Sequence, residues 1–426
     1  MGAMPEVVDV VVQLGRESVF AGRLWPHRRR TESATFAYDT GYLTRKGAYE
    51  LDPLLPLVEG QQQTPVGRAM FGAFTDSAPD RWGRRLILQA ERARVRREGG
   101  APRSFGDADY LLGVRDDLRQ GALRFRDPEA GAYLADDDSG VPPLVELPVL
   151  LGAAEMVERD EADEETLRML LRGGSSLGGA RPKAHVLDGA GRVAIAKFPS
   201  PADEWDVMRW EAVALQLAAT AGIRVPAFEL HEVDGKAVLV IDRFDRAGDV
   251  RIGYVSAMTM LEATDGEGGS YLEIAQVIEQ QSPRVGKDLH ELWRRVAFSI
   301  LISNTDDHLR NHGFLRISSG GWELSPAFDL NPNPDPGPKH LSTAIDEADT
   351  AARIETLMDV APYFRLREDQ ARAVLGEVTE ATLQWRAVAS ERGLDRKAAD
   401  GMAPAFEHEQ ARAAQLVIAA GRVSRT

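Results

Sequence analysis

The stretch Ser303 to Leu315 reads SNTDDHLRNHGFL and is the densest group of chemically active side chains in the chain. Asp306 and Asn311 have the spacing D-x-x-x-x-N, in which a kinase Asp accepts the proton of the attacking hydroxyl and the Asn holds Mg²⁺. The spacing selects Asp306 as the base, because Asp307 lies one position too close to Asn311. Asp307 either supports Asp306 or is a solvated neighbour, and we favour the solvated neighbour.

A zinc hydrolase is the alternative that the same stretch raises. His308 and His312 lie four residues apart, as paired metal ligands on a helix do. The zincin signature requires Glu directly after the first His, and Leu309 occupies that position. The pattern therefore favours phosphoryl transfer over metal-assisted hydrolysis.

A kinase needs a second carboxylate for its metal, on a segment that returns to the first loop. The sequence continues with GFLRI, the turn SSGG and WELSPAFDLNP, which predicts a hairpin that ends near Asp329. Phe328, Asp329 and Leu330 then stand where a metal-binding triplet belongs. The position after the hairpin, and not the triplet alone, makes Asp329 a candidate Mg²⁺ ligand.

A lysine on an upstream strand should neutralise the nucleotide phosphates. The run VAIAKF places Lys197 late in a strand, much like the V-A-I-K pattern of kinases, although a surface lysine at a strand end would look the same. Glu211, on the apolar face of the following predicted helix, is the natural ion-pair partner, because an unpaired buried Glu is costly.

The segment GGSSLGGARPK precedes that strand. It is not a Walker A motif, since Ala180 stands where the Lys is required. A turn that contains Gly173, Gly174, Gly178 and Gly179 can still present backbone N–H groups to phosphate. Arg181 and Lys183 add positive charge nearby.

Composition excludes several other classes. The chain of 426 residues contains no cysteine, which rules out disulfides, thiolate zinc sites and a cysteine nucleophile. The start MGAMPEVVDVVVQLG lacks the pattern of a signal peptide, and no apolar run approaches the length of about 20 residues that spans a bilayer, so we expect a cytoplasmic protein. Residues 1–126 carry 20 Lys and Arg against 16 Asp and Glu, although the whole chain has a net charge of −15. This asymmetry indicates functionally distinct regions.

The pattern along the chain predicts an α+β protein with three parts. An N-terminal subdomain over 1–135 ends at the acidic, Pro-containing stretch DDDSGVPP; an ATP-binding part over 136–255 carries the glycine-rich loop; a helical lobe covers 256–426. We expect one helix near Glu155 to Arg172. A second runs from Asp288 to Ile302, with Asp288 and Glu291 as its capping box.

The combined motifs resemble the HipA family, the serine/threonine kinase toxins of bacterial toxin–antitoxin modules. The resemblance rests on these segments: FAYDTGYL, FTDSAPDRWGRRLI, DLRQGALRF, SSLGGARPKAHV, IAKFPS, VIDRFDR, NTDDHLRNHGFL and LSPAFDL. It implies a bilobed protein-kinase-like fold with an extra N-terminal subdomain, and transfer of phosphate from MgATP to a Ser or Thr. The chain departs from the family pattern at Asp307, where Gly is common, and at Asp242, where Glu is.

By the same resemblance, Asp306 is the base, Lys197 contacts the phosphates, Asn311 and Asp329 bind Mg²⁺, and His308 supports Asp306. The implied ATP-binding residues are Ser176, Leu177, Gly178, Gly179, Ala180, Lys183, Lys197, Val240, Ile241, Asp242, Phe244, His308, Asn311 and Asp329.

The resemblance also implies regulation and partners. Autophosphorylation at Ser176, or alternatively at Ser175, would place a dianion beside the ATP phosphates and inactivate the enzyme. A helix-turn-helix antitoxin (HipB-like) would be the partner and would carry any contact with DNA, and an aminoacyl-tRNA synthetase is a target by analogy. Two alternatives remain: a kinase of the same fold that acts on a small molecule or lipid, and a pseudokinase that serves as a binding module.

Overall fold

The computed structural model describes residues 5–28, 31–135, 140–174, 179, 181–318 and 320–423. The chain separates into two compact units, each built from two stretches of sequence. Unit 1 contains residues 1–202 and 231–255, and unit 2 contains residues 203–230 and 256–426. The predicted division at 135 and 255 into three domains stays a prediction.

Unit 1 begins with an antiparallel sheet in which five described strands follow the order β4-β3-β2-β1-β5. Its strands are β1 (Val8–Leu14), β2 (Glu17–Arg28), β3 (Glu32–Tyr38), β4 (Gln61–Gln63) and β5 (Leu123–Arg126). Strand β1 reads VDVVVQL and is buried over its first five residues, because β2 and β5 flank it on both edges. Its valines therefore form the centre of this sheet's core.

A second sheet of unit 1 has the strand order β6-β7-β9-β8. These strands are β6 (Lys183–Leu187), β7 (Val193–Lys197), β8 (Phe228–Val233, of which the last three residues belong to unit 1) and β9 (Lys236–Asp242). One face is rich in alanine and valine and packs on a helical layer through a core that includes Trp82, Leu150, Leu170 and Phe198. The opposite face carries Lys197.

The helices of unit 1 are α1 (Thr40–Leu43), α2 (Gly72–Asp76), α3 (Arg81–Glu98), α4 (Asp107–Leu112), α5 (Leu147–Glu158) and α6 (Glu164–Arg172), with the 3-10 turn η1 (Leu144–Glu146). Three short strands follow β9: β10 (Arg246–Ala247), β11 (Val250–Arg251) and β12 (Gly253–Ser256). The prediction of one helix near Glu155 to Arg172 is wrong, since α5 and α6 are separate. Asp160 adopts φ +57° after α5, and Asp163 caps α6 by accepting from Thr166 N at 2.8 Å.

Unit 2 is mostly helical, as the sequence predicts. Its described helices are α7 (Val207–Thr220), α8 (Ala257–Met260), α9 (Tyr271–Gln281), α10 (Val285–Leu301), α11 (Ile354–Asp359), α12 (Glu368–Thr382), α13 (Trp385–Glu391), α14 (Arg396–Phe406) and α15 (Glu409–Val423), with the 3-10 turns η2 (Leu309–Asn311) and η3 (Ala361–Phe364). The predicted hairpin is present as β13 (Gly313–Ser318) and β14 (Gly321–Leu324).

Helix α10 is the central helix of unit 2 and leads into the SNTDDHLRNHGFL stretch. Its predicted apolar stripe is buried throughout: Leu289, Leu292, Trp293, Val296, Ala297, Ile300 and Leu301. The predicted capping box of Asp288 and Glu291 is wrong, because α10 begins one turn earlier, at Val285. Asp288 is buried and accepts from Ser282 Oγ at 2.7 Å and Leu324 N at 3.2 Å, so it holds β14 against the helix.

In the part of the chain that the structure describes, no helix combines the length and apolarity that crossing a bilayer requires.

Candidate active site

The stretch from Ser303 to His312, called here the catalytic loop, follows directly after α10. Ser303 adopts φ +53°, which turns the chain out of the helix. The next residues alternate in direction: Asp306 is exposed to solvent, whereas Asp307 is 4% exposed. Asp306 is thus the acidic residue of the loop that a substrate hydroxyl can approach.

Asn311 closes the loop behind Asp306. Its Nδ2 donates to the backbone carbonyl of Asp306 at 2.9 Å, and its own N–H donates to His308 O at 2.8 Å. The amide nitrogen is used in this way, so the Oδ1 of Asn311 is the atom that remains to coordinate a cation. The D-x-x-x-x-N spacing therefore corresponds to a closed turn, and not only to a sequence pattern.

Asp307 lies inside unit 2, and the interpretation of it as a solvated neighbour is wrong. Its Oδ2 accepts from Tyr271 Oη at 2.5 Å and from Ser299 Oγ at 3.0 Å. Its Oδ1 lies 3.1 Å from His312 Nε2, in a direction that departs from hydrogen-bond geometry, so this contact is mainly electrostatic. Asp307, Tyr271, Ser299 and His312 together are called the Asp307 cluster.

The electrostatics of this cluster keep Asp307 ionised. Burial raises the pKa of the Asp307 carboxyl, but the neighbouring His312 imidazole and the hydrogen bonds from Tyr271 and Ser299 oppose burial and bring the pKa below its usual value. Burial and the neighbouring Asp307 charge raise the pKa of Tyr271 well above its usual value. Tyr271 therefore keeps its proton and acts as the donor.

The two histidines of the loop have different surroundings. His308 donates its backbone N–H to Asp306 O at 2.9 Å, whereas His312 is 2% exposed and faces Asp307. Within the described ranges, no three His, Asp or Glu side chains are arranged to hold a metal ion.

Asp329 lies on the segment that follows the hairpin, with φ +59°. Few residues other than Gly adopt this conformation, and Asp and Asn are among those that tolerate it best. Asn331 Nδ2 donates to Asp329 Oδ1 at 3.3 Å, and Asn331 N donates to Asn304 Oδ1 at 3.3 Å. Asn331 thus connects Asp329 to the catalytic loop.

The donor set on these two segments fits Mg²⁺. The Asn311 amide oxygen and the Asp329 carboxylate are hard oxygen ligands, and Mg²⁺ is commonly held by one or two protein groups together with substrate phosphates and water. The buried Oδ1 of Asn331, beside Asp329, has no hydrogen-bond partner, which indicates a place where a positive group is accommodated.

Lys197 lies at the end of β7 in unit 1, half-buried, and directly opposite Lys183 in the antiparallel pair β6–β7. Like charges at directly opposed positions repel each other. Asp80 relieves this repulsion: its Oδ2 lies 2.6 Å from Lys183 Nζ, and both side chains are about 6% exposed. Burial raises the pKa of Asp80, while Lys183 and the N–H of Gly83 act in the opposite direction.

Asp80 also caps α3 and links the RPK segment to the N-terminal part of unit 1. Its Oδ1 accepts from Gly83 N at 2.7 Å, and Trp82 Nε1 donates to Lys183 O at 2.9 Å. The structure therefore gives Lys183 a protein partner that the sequence did not indicate, and its predicted contact with ATP stays a prediction.

Most of the glycine-rich loop lies outside the described residues, including Ser175, Ser176, Leu177, Gly178 and Ala180. The glycines that border this gap are required by their surroundings. Gly174 has φ +72°, and a Cβ there would lie 2.6 Å from Leu118 Cδ1 and 2.9 Å from His185 Nδ1. Gly179 has φ +113°, and a Cβ there would lie 3.1 Å from Lys183 Nζ.

The remaining predicted residues occupy β9 and the segment after it. Val240 and Ile241 are buried in β9, and Asp242 at its end is half-buried, with Oδ2 3.6 Å from Arg192 Nη1. Phe244 is half-buried, with its ring 6.2 Å from that of Tyr254. Glu211 is buried on α7 in unit 2, whereas Lys197 belongs to unit 1, and the predicted ion pair between them stays a prediction.

Sequence reasoning missed a buried charge cluster beside these residues. Asp245 accepts from Arg243 at 2.9 and 2.7 Å, from Arg246 at 2.7 Å and from Gly121 N at 2.8 Å. Arg243 Nη1 also lies 3.0 Å from His185 Nε2, on the strand after the glycine-rich loop. These residues are called the Asp245 cluster. The alternation of charged and aromatic residues in DRFDR was the available signal.

Comparisons with known proteins agree with the motifs. The HipA N-terminal domain family matches residues 14–101, and the HipA-like C-terminal domain family matches residues 175–386. Two curated proteins of Sinorhizobium fredii are similar over part of the chain. "Putative kinase Y4mE" is 28% identical over 175 residues, covering 38% of this chain and 40% of that protein. "Putative kinase Y4dM" is 30% identical over 182 residues, covering 39% and 41%.

The chain thus spans about two fifths of the length of these curated relatives. Among solved structures, a chain of the Shewanella oneidensis MR-1 complex of HipA, HipB and operator DNA superposes with a TM-score of 0.63 at 16% identity, covering 97% of this chain and 96% of that one. This likeness establishes a shared fold. The two family models match the N-terminal part and the C-terminal part of the chain. The chain belongs to the HipA family.

Proposed function

We propose that this protein is a toxin-type protein kinase that transfers the γ-phosphate of ATP to a Ser or Thr hydroxyl of a protein target. The observation that carries the proposal is the closed turn of the catalytic loop. Asp306 is exposed, while Asn311 ties its backbone carbonyl at 2.9 Å. A base that is accessible on a fixed backbone suits a hydroxyl nucleophile.

In this mechanism Asp306 orients the acceptor hydroxyl and takes its proton as the oxygen attacks phosphorus. Asn311 and Asp329 would hold Mg²⁺, which supplies the positive charge that offsets the charge on the phosphates. Lys197, half-buried at the end of β7, would contact the α and β phosphates, supported by Glu211. Asp80 neutralises Lys183, which lowers the local repulsion that Lys197 would otherwise feel.

The adenine would be framed by Val240 to Asp242, with Phe244 nearby, and His308 would support Asp306. Residues Ser176 to Ala180 would cover the phosphates. Autophosphorylation of Ser176, or alternatively of Ser175, would then inactivate the enzyme by placing negative charge where the nucleotide phosphates bind.

The partner proposal follows from the family. The similar Shewanella structure is a complex of HipA with HipB and operator DNA. By analogy we propose a helix-turn-helix antitoxin of the HipB type for this chain, with DNA contact through that partner. An aminoacyl-tRNA synthetase is the proposed target class.

The test is intact-mass measurement and peptide mapping of phosphate-free protein after incubation with MgATP, beside the Asp306→Asn variant. We expect phosphate on Ser176, or on Ser175, in the wild type and a loss of at least about 100-fold in rate for the variant. Asp306 is exposed, so the variant should fold and bind MgATP normally. Near-native turnover by Asp306→Asn would contradict the assignment of the base.

Asp329→Asn is the matched variant for the metal. Asn tolerates the same positive φ, so the backbone is kept while the negative charge is lost. We expect metal-dependent ATP affinity and turnover to fall together. If neither variant nor wild type carries new phosphate, nucleotide binding and phosphorylation of small molecules would be examined next, and the protein-kinase proposal would be abandoned.

A further inference from the structure

The backbone around Asp306 is held at three successive carbonyl groups. Thr305 O accepts from Ser342 N at 3.0 Å and from Ser342 Oγ at 2.9 Å. Asp306 O accepts from Asn311 Nδ2, and Asp307 O accepts from Thr343 Oγ1 at 2.7 Å. The Asp306 side chain thus extends into solvent from a segment whose main chain is fixed on both sides.

The side chain of Asp307 anchors the same segment from inside. It points in the opposite direction to Asp306 and reaches two different helices, Tyr271 at the start of α9 and Ser299 in the last turn of α10. The ring of His312 contacts the Tyr271 ring edge-on, with 5.5 Å between ring centres. The anchor therefore connects the middle of the catalytic loop, at Asp307, to α9 and α10, and its last residue, His312, to α9.

A buried carboxylate is an expensive way to fill space. Removing such a charge from water costs several kcal/mol, and an apolar side chain of similar volume would often stabilise a fold as well or better. The Asp307 carboxylate has the two hydroxyl donors and the His312 contact that such a position needs. Unlike an apolar residue, the carboxylate makes directional contacts with three groups, those of Tyr271, Ser299 and His312. These contacts define the position of the main chain at Asp307.

We propose that Asp307, held by Tyr271 and Ser299, is a positioning residue that fixes the orientation in which the catalytic loop presents Asp306. The proposal rests on the function proposed above, because it assigns a task to the base of that reaction. Asp307 itself touches no substrate, and it acts on the chemistry only through the adjacent Asp306.

The experiment is a double-mutant cycle between Tyr271→Phe and Asp306→Asn, measured as the turnover number for autophosphorylation under MgATP saturation. Tyr271→Phe removes one hydroxyl from Asp307 and keeps the ring. We expect about a tenfold loss of turnover in the wild-type background, because small errors in base geometry are costly, and an unchanged dissociation constant for MgATP. In the Asp306→Asn background the same substitution should have almost no effect on turnover, since the group being positioned is absent.

Tyr38→Phe is the matched control for a merely structural role. Tyr38 is also buried and donates to Leu55 O at 2.8 Å, but it lies in unit 1 and outside the proposed site. It should lower thermal stability without changing turnover. Ser299→Ala provides a second removal of a donor to Asp307, for use if Tyr271→Phe does not fold, with the same expected cycle.

The outcomes separate the two proposals. A wild-type protein that transfers no phosphate would overturn the proposed function and the positioning role together. An active wild type in which Tyr271→Phe, or Ser299→Ala, lowers turnover equally in both backgrounds would leave the kinase function intact and overturn the positioning role. The positioning role would also be overturned if Tyr271→Phe, or Ser299→Ala, changed the affinity for MgATP and left turnover unchanged.

Discussion

Two buried carboxylates, Asp245 in unit 1 and Asp307 in unit 2, are stabilised in different ways. Asp245 in unit 1 is 3% exposed and faces the guanidinium groups of Arg243 and Arg246. Asp307 in unit 2 is 4% exposed and faces two hydroxyl groups and one imidazole. The first environment is strongly cationic, whereas the second consists mainly of neutral donors.

This difference corresponds to what each cluster joins. The Asp245 cluster connects parts of unit 1 that are distant in sequence, because Arg243 also donates to Leu118 O at 2.7 Å and approaches His185. The Asp307 cluster anchors a loop next to its proposed catalytic base. Buried guanidinium groups serve the architecture of unit 1, and a buried carboxylate with neutral donors serves local geometry in unit 2.

The largest expected effect is on folding, from Asp245→Asn. The substitution would leave two buried guanidinium groups without their anionic partner, and breaking a buried ion pair in this way costs about 3–5 kcal/mol of unfolding free energy. The measurement is urea unfolding followed by circular dichroism. Asp249→Asn, on the exposed turn between β10 and β11, is the control and should change stability by less than about 0.5 kcal/mol. A loss below about 1 kcal/mol for Asp245→Asn would mean that the arginines are held by carbonyl groups alone.

A smaller loss of stability, about 2 kcal/mol, is expected for Asp307→Asn. The amide keeps one acceptor oxygen but loses the charge-assisted hydrogen bonds, each of which contributes about 1.5–3 kcal/mol. Asp306→Asn is the control from the adjacent position, and because Asp306 is exposed its unfolding free energy should be unchanged while its turnover is lost. Equal stability of the two variants, measured by urea unfolding, would show that burial of Asp307 contributes nothing.

The sequence predicts a candidate catalytic segment because the pattern that indicates it is local. Asp306 and Asn311 are five residues apart, and their hydrogen-bonded turn forms within that span. The direction of Asp307 was not predictable in this way. Its partners Tyr271 and Ser299 lie 36 and 8 residues away, and neither has a pattern that indicates a buried carboxylate.

One wrong prediction and one missed ion pair have the same origin. Asp288 and Glu291 have the spacing of a capping box, but α10 begins earlier, at Val285, so Asp288 lies within the helix. Asp288 instead accepts from Leu324 N, which is 36 residues away. The Asp80–Lys183 pair joins residues 103 positions apart and was equally invisible. Helices, strands and turns follow from nearby residues, whereas the partners of buried charges depend on the tertiary structure.

Acid provides the next test of the two carboxylates. Burial raises the pKa of Asp245, but Arg243 and Arg246 outweigh burial and hold this pKa well below its usual range. The pKa of Asp307 is also below its usual value. In acid, the unfolded chain therefore binds more protons than the folded chain does. The stabilisation that the two ionised carboxylates provide is complete above about pH 5 and is lost as the pH falls below about 4. The stability difference between the wild type and Asp245→Asn should narrow by up to about 1.4 kcal/mol per pH unit there. Tyr38→Phe, which removes no group that titrates in acid, should show a constant difference.

The smallest effect is expected at Asp242, which separates the contribution of burial from that of charge. Asp242 lies three residues before Asp245, and its side chain is 39% exposed and 3.6 Å from that of Arg192, which is 65% exposed. Water screens a pair of this kind, so Asp242→Asn should lower the unfolding free energy by less than about 0.5 kcal/mol in the same urea experiment. If this variant lost as much stability as Asp245→Asn, the number of negative charges in this segment would matter more than their burial. The contrast between the two clusters would then have to be explained by net charge.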